Sequence, residues 1–374
     1  MGLAVERIEY RDFRSYESFA LEELGPLTVI VGPNAVGKTN LIEGIQLTTA
    51  MTSFRSPRPE HLVRTGAERG SVKTLICGDD RRLEVELICG EGARTYRLNG
   101  KKRRASSLAG MLPSVLFCPD DLGLVKGPQA PRRAQADTLG SQLSSNYRAV
   151  RLDYERIVRQ KNRSLKDEAP VDYLRSLNEV QATVGAQFYR LRAQMLAGLA
   201  PYLSDFYRRI AGGREEATLA YVPSWLRSEL DLEAEPHLAP ASREEAREAL
   251  AAAMERALPE ERARRRALFG PHVDRIEFYL DGRNAQTFAS QGQQRSLVLS
   301  YKMAEVELIR DRLDQAPVLL LDDVMSELDD ARRRALLEQI VRSSQTFVTA
   351  TNAEYFDPAL ISQARIVELR ERGA

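Results

Sequence analysis

The chain has 374 residues, 43% of them hydrophobic, with 54 Lys and Arg against 53 Asp and Glu. That length allows two domains and a substantial core. The near-zero balance, formally +1, excludes a global field for a polyanion, so any nucleic-acid surface must be local. No apolar run reaches the roughly 18 residues of a membrane helix. The opening MGLAVERIEYRDF carries charges where a secretion signal would be apolar, so a cytoplasmic protein without a membrane partner is expected. Cys77, Cys89 and Cys118 lack CxxC spacing, and His61, His237 and His272 lie far apart, so neither a disulfide framework nor a zinc site is indicated.

From Leu3 to Gly100 the sequence predicts short strands between glycine-bearing turns: VERIEYRDFRSY, LTVIVG, SVKTLICG, RRLEVELICG and RTYRLNGKKRR. Asn99-Gly100 marks a hairpin, because both central residues of the tight turn need positive φ. One helix interrupts the strands, from Lys38 to about Thr49, with Leu41, Ile42, Ile45 and Leu47 at its apolar positions. Just before it, the β-branched run Leu27–Val31 leads into GPNAVGKTN. The spacing of Gly32 and Gly37-Lys38-Thr39 is that of a phosphate-binding loop in its required strand–loop–helix setting. Gly32, Pro33, Asn34, Ala35, Val36, Gly37, Lys38, Thr39 and Asn40 are therefore the candidate nucleotide contacts. The glycines allow a tight turn that aims N–H groups inward, and the helix start adds its positive end. Lys38 is placed to reach the β- and γ-phosphates of ATP, and Thr39 to offer its hydroxyl to Mg²⁺.

From about Gln142 to Phe269 the texture becomes charged and helical, with spacing such as Leu174, Leu177, Val180, Val184, Phe188 and Leu191. GGREEATLAYVPSWLRSEL and EAEPHLAP are expected connections, and Ser242 with Glu245 forms a capping box opening the next helix. Pro201, Pro223, Pro236 and Pro240 are expected to break this stretch, which is too short for a coiled-coil tether. After GPHVDRIEFYLDG strands return, followed by a helix from about Gln291 to Arg312, the strand APVLLLDD, another helix, and the strand QTFVTATN. The expected organisation is α/β, a nucleotide-binding head from residues 1–140 plus 268–374 with a mostly helical domain, 141–267, inserted between them.

PVLLLDDVMSELD ends an apolar strand in two adjacent carboxylates, the arrangement that phosphoryl transfer needs opposite a phosphate loop. Asp322 is the candidate Mg²⁺ ligand, directly or through water, and Asp323 the group that polarises the attacking water. In SQGQQRSLVLSYKMAE, the Ser290 hydroxyl, Gly292, Gln293 and a helix N-terminus make an anion site, although an ordinary N-cap explains the same residues locally. Leu297, Tyr301, Ala304 and Leu308 share one face of that helix. Upstream of the acidic strand, this segment resembles the signature motif of ABC-type ATPases. The resemblance implies that Ser290 of one subunit closes over the nucleotide held by its partner, making ATP the glue of a head-to-tail homodimer. Lys38, Ser290, Asp322 and Asp323 are then the candidate catalytic residues.

Together these motifs resemble the RecF family, bacterial recombination-mediator ATPases related to the SMC proteins. The residues that carry the likeness are RDFRSY, GPNAVGKTN, SFRSPRPEHLVRTG, FCPDDLGLVKGPQAPRR, GPH (Gly270–His272), SQGQQRS and LLLDDVMSELD. Val273 stands where the pattern has Arg, and Gln135 and Ala136 stand where an aromatic and an aliphatic residue are usual. The resemblance implies an ABC-type ATPase head built from both chain ends, with the helical domain inserted. It also implies weak DNA-stimulated ATPase activity, an ATP-dependent dimer on DNA, and cooperation with RecR and RecO in loading the recombinase at single-strand gaps.

The expected DNA contacts are Arg55 and Arg58 in SFRSPRPEHLVR and Lys101, Lys102, Arg103 and Arg104 in NGKKRR; ERARRR (261–266) is a further basic run. No stacking platform is evident, so contact with a duplex backbone is the expected mode. A transporter motor would share the three motifs but need a membrane partner, and a switch in which ATP binding alone closes the dimer stands beside the enzyme reading. An aspartate at position 323 is a short side chain for positioning water. Steady-state ATP turnover is therefore expected below roughly 1 s⁻¹, and a phosphate-release assay giving a rate well above that contradicts the assignment.

Overall fold

Runs that are buried on both faces and runs that alternate build two different sheets in this protein. The computed structural model describes residues 2–55, 57–90, 92–226, 242–343, 345–352, 356 and 362–370. The elements from the N-terminus are β1 (Ala4–Phe13), β2 (Tyr16–Leu21), β3 (Leu27–Val31), α1 (Lys38–Thr49), β4 (Arg69–Gly78), β5 (Arg81–Gly90), β6 (Ala93–Leu98) and β7 (Lys101–Arg103). Then come α2 (Ala105–Leu108), β8 (Ser114–Phe117), α3 (Gln129–Leu143), α4 (Ser145–Lys166), α5 (Val171–Ile210), β9 (Ala217–Val222) and α6 (Arg243–Arg264). The chain continues with β10 (Arg275–Leu280), β11 (Arg283–Asn284), α7 (Ala285–Phe288), α8 (Gln291–Leu313), β12 (Val318–Asp322), α9 (Asp330–Ser343), β13 (Thr346–Ala350) and β14 (Arg365–Glu368).

The chain divides into two compact units, one of 1–122 with 305–374 and one of 123–304. The first holds a parallel sheet, β14-β3-β13-β12-β8, and an antiparallel sheet, β2-β1-β4-β5-β6-β7. β8, β12 and β13 are buried at every residue, as a parallel sheet covered on both faces requires, whereas β4 and β5 alternate. Helix α1 packs against strands of both sheets, and Leu41, Ile42, Ile45 and Leu47 are fully buried there beside Ile8, Val72, Leu320 and Phe347. Gly44 sits in the middle of α1 because a Cβ there would stand 2.3 Å from the ring of Tyr10. That ring is fixed by its hydroxyl, which donates to the Leu41 carbonyl at 2.8 Å. The hairpin forms as expected, with φ of 49° at Asn99 and 75° at Gly100.

The second unit joins α3 to α7 and the sheet β11-β10-β9. Its buried polar centre is Arg192 of α5, whose guanidinium donates to both carboxylate oxygens of Asp137 at 3.0 and 2.9 Å, to the Pro271 carbonyl at 2.7 Å and to the Tyr221 hydroxyl at 3.1 Å. The Tyr221 hydroxyl donates in turn to Asp274 at 2.6 Å. A buried charge needs this complete set of partners. RRAQAD and GPH, far apart in sequence, meet here. Gln135, one of the departures from the family pattern, accepts from the buried ammonium of Lys302. The capping box opening α6 is present, Ser242 and Glu245 each accepting the other's backbone N–H.

The compact units divide at Leu122/Gly123 and Ala304/Glu305, beside expected domain bounds of 140/141 and 267/268; α3 packs with α4, α5 and β10, and β9 with α5. Two expectations need correction. The connection expected around ATLAYV contains strand β9, paired antiparallel with β10. Pro201 does not break the helix: α5 runs 40 residues through it. Pro201 and Ala197, whose carbonyl loses its donor, are both exposed, so water can replace the missing bond. Pro223 follows β9, while Pro236, Pro240, His237 and EAEPHLAP lie outside the described residues.

Replacing a helical glycine by alanine ordinarily stabilises a helix by about 1 kcal/mol. At Gly44 the added methyl meets a ring with nowhere to go, so Gly44→Ala is expected to lower unfolding free energy by about 1–3 kcal/mol in chemical denaturation; a gain in stability would refute the packing argument.

Candidate nucleotide site

The site begins where β3 ends. Gly37 closes the phosphate loop at φ 110°, a conformation that side chains rarely adopt, and a Cβ there would meet the Tyr16 hydroxyl at 2.8 Å and Ser15 Oγ at 2.9 Å. The Lys38 ammonium is curled back over the loop, donating to the carbonyls of Gly32 at 2.7 Å and Pro33 at 2.9 Å. Burial lowers its pKa, opposed by the charges of Asp323 and Asp322.

Across the loop, parallel pairing puts the ends of β12 and β13 side by side, with Asp322 opposite Thr349. Asp322 Oδ1 accepts from the Thr39 hydroxyl at 3.1 Å and from the Thr349 hydroxyl at 2.8 Å. The Thr349 hydroxyl oxygen also accepts from the backbone N–H of Asp323 at 2.9 Å. Asp323 has φ 54°, so the chain leaves the sheet at a sharp turn at that residue. Burial raises the pKa of both carboxyls; Thr349 and Thr39 oppose the rise at Asp322, and Lys38 opposes it at Asp323.

These residues fit a nucleotide with Mg²⁺. Thr39 and Asp322 supply two hard oxygen donors already in contact, and no group of three or more metal-binding side chains occurs among the described residues. A site with two protein oxygens suits Mg²⁺, which takes its remaining ligands from phosphates and water. A cleft of about 590 Å³ borders the loop, lined by Ser15, Tyr16, Phe19, Asn34, Ala35, Val36 and the segment Glu368–Arg370.

Asn40 and Arg55 are tied into this site. Asn40 donates to Ser15 Oγ at 3.0 Å and accepts from the Arg55 guanidinium at 2.9 Å. The buried Glu43 accepts two bonds from Arg14 at 2.8 Å and one from Ser53 at 2.6 Å, and lies 3.6 Å from Arg55. Arg55 is thus next to the phosphate loop; it is exposed, as are Arg58 and Lys101–Arg104. Lys101, Lys102 and Arg103 form the edge strand β7. In the other unit, Ser290 is exposed; its Oγ accepts from Gln293 N at 3.3 Å, and Gln293 Oε1 accepts from Ser290 N at 2.7 Å. Gly292 lies in the first turn of α8, and Leu297, Tyr301, Ala304 and Leu308 are buried as the helical spacing predicts. Sequence reasoning does not single out Thr349; its signal is position, at the carboxyl end of a parallel strand beside the acidic one.

A family model described as the RecF/RecN/SMC N terminal domain matches residues 4–372. The DNA replication and repair protein RecF of Symbiobacterium thermophilum is 36% identical over 345 residues, covering 91% of this chain and 90% of that one. The chain belongs to the RecF family. The RecF of Synechococcus sp. (strain JA-3-3Ab) is 36% identical over 367 residues, 96% of this chain and 94% of its own. A solved structure of the recombination mediator protein RecF of the RecFOR pathway with ATP superposes with a TM-score of 0.85 at 28% identity, covering 95% of this chain and 94% of that one. The Smc head domain of Pyrococcus furiosus, at 15% identity and TM-score 0.52 over 99% of this chain and 94% of its own, shares the fold. The RecF-family ATPase head fold therefore holds for this chain. Among the described residues no helix is long and apolar enough to cross a membrane.

Because its pKa is raised, Asp322 takes up a proton more readily folded than unfolded. The ionised carboxylate therefore opposes folding as pH rises from its ordinary range through the raised value. Asp322→Asn keeps an acceptor for Thr39 and Thr349 and removes the charge. It is expected to raise the melting temperature at neutral pH while lowering ATP turnover by about a hundredfold or more; a lower melting temperature would contradict the burial argument.

Proposed function

We propose that this chain is an ATP-dependent DNA-binding repair ATPase that closes as a homodimer on DNA, hydrolyses ATP slowly and serves as a recombination mediator with RecR and RecO. The observation that carries the reading is the Thr39–Asp322 contact, a hydroxyl and a carboxylate from opposite chain ends held 3.1 Å apart beside the phosphate loop.

In this reading Lys38 leaves the loop carbonyls for the β- and γ-phosphates of bound ATP, and Thr39 with Asp322 holds Mg²⁺. The metal, when bound, neutralises phosphate charge. Asp323, turned out at the strand end, where burial raises its pKa and makes it a better proton acceptor, orients the attacking water and accepts its proton. The cleft beside Asn34–Val36 receives the nucleoside end. Ser290 accepts its cap bond and so keeps its own O–H to donate, and its exposure suits contact with a γ-phosphate held by a second copy. Gly292 and Gln293 complete that N-terminus.

Arg58 and Lys101–Arg104 are exposed cations suited to the phosphates of double-stranded or gapped DNA, contacting backbone without reading bases. Arg55 lies at the phosphate-loop edge of the same basic segment. The names of the similar proteins, replication and repair for the relatives and the RecFOR pathway for the solved neighbour, support the same assignment.

Sedimentation with ADP and with ATP, with and without duplex DNA, tests the reading. Mass should double only with ATP, and DNA affinity should rise with ATP and fall with salt. Lys38→Met should remain monomeric, while Asp323→Asn should close and persist on DNA with turnover reduced by about 10²–10⁴-fold. An ATP-insensitive monomer overturns the proposal; an Asp323→Asn protein with the original dimer lifetime and repair activity favours the non-catalytic switch.

A further inference from the structure

The basic run ERARRR is built into a socket in the helical unit. Arg265 closes α6 in the left-handed conformation, φ 52°. Glycine would fill that position at no steric cost, yet the chain places a cation there. The turn is fixed from several sides: Arg266 N donates to the Glu261 carbonyl at 3.2 Å, Ala267 N to Asn162 Oδ1 at 2.7 Å, and Leu268 N to Glu261 Oε1 at 2.8 Å. Beneath it, the Lys161 ammonium and Glu261 carboxylate pair at 2.7 Å, both fully buried, which pins the end of α4 to the end of α6. Between these ends opens a pocket of about 500 Å³ lined by Asn162, Lys166, Arg264, Arg265 and Arg266.

Charge is concentrated here. Residues 159–168 and 260–266 carry eight Lys and Arg against four Asp and Glu, in a chain whose formal net charge is +1. Arg264 and Arg265 are paired with exposed carboxylates, Glu260 at 2.7 Å and Glu168 at 2.8 Å. Such surface pairs are weak and readily exchanged for a stronger anion. Lys166 and Arg266 are exposed and have no ion pair among the described residues.

We propose that this pocket is a docking point for the phosphate backbone of duplex DNA, an inference that rests on the DNA-binding reading above. A guanidinium fork matches two phosphate oxygens, and several preset cations around one concavity suit a phosphodiester. The lining offers no apolar or aromatic anchor, which a stable protein partner would need at its centre. Backbone contact requires only the cations.

The test uses the full chain with ATP and a fluorescein-labelled duplex, followed by anisotropy across about 50 to 200 mM salt. The variants are Lys166→Ala and the pair Arg264→Ala with Arg266→Ala. Each should bind several-fold more weakly whatever the DNA sequence, with the log–log salt slope shallower by about one unit for each phosphate no longer neutralised. ATP binding should stay unchanged, and Arg266→Lys should restore much of the slope. Original affinity and slope in the variants, or weaker binding with an unaltered slope, overturns this site alone. Failure of the unmodified chain to bind duplex DNA overturns the reading beneath it and this proposal together.

Discussion

The site depends on a hydroxyl touching a carboxylate across 283 residues of sequence. Thr39 opens α1 and Asp322 closes β12, so their contact requires β3, β13 and β12 to lie in parallel register, with α1 packed over them. Thr349, at the end of the middle strand, bonds both Asp322 and the backbone of Asp323. Nothing local in either motif produces this geometry. It is the sheet that converts two short sequence patterns into one cluster.

That cluster is held against its own electrostatics. Burial disfavours the charged form of Lys38, Asp322 and Asp323 alike; opposite charge partly offsets it at Lys38 and Asp323, and the Thr349 and Thr39 hydroxyls do so at Asp322. In the proposed reading, a polyphosphate and a divalent cation would add charges that these three side chains can meet. The same logic applies to the buried Glu43, which is stable in its apolar surroundings because Arg14 and Ser53 saturate its oxygens.

Much of this was legible in the chain itself. The phosphate loop, α1, the acidic strand and the Asn99-Gly100 turn each carry a local signature, a backbone constraint or an apolar period that fixes the element without its neighbours. β9 has no such independence: ATLAYV lies between glycines and a proline, and it becomes a strand through pairing with β10, whose residues come more than 50 positions later. Pro201 misleads for the opposite reason, since its helix-breaking tendency is local while the continuity of α5 comes from the packing of its buried residues. Thr349 is chemically ordinary in sequence and acquires a role only from its neighbour across the sheet. The packing of α3 is likewise not local: it reads in sequence as a continuation of the head, yet it packs with α4, α5 and β10.

Arg192 has a mechanical consequence for α5. It lies close to the middle of a helix of 40 residues, about 60 Å long at 1.5 Å per residue. Its guanidinium is keyed to Asp137, Pro271 and Tyr221 together. Sliding the helix by one turn, about 5.4 Å, would strand a permanently ionised group in an apolar interior. The rod therefore has a single allowed phase, and it can tilt or bend as a body but cannot ratchet along its own axis.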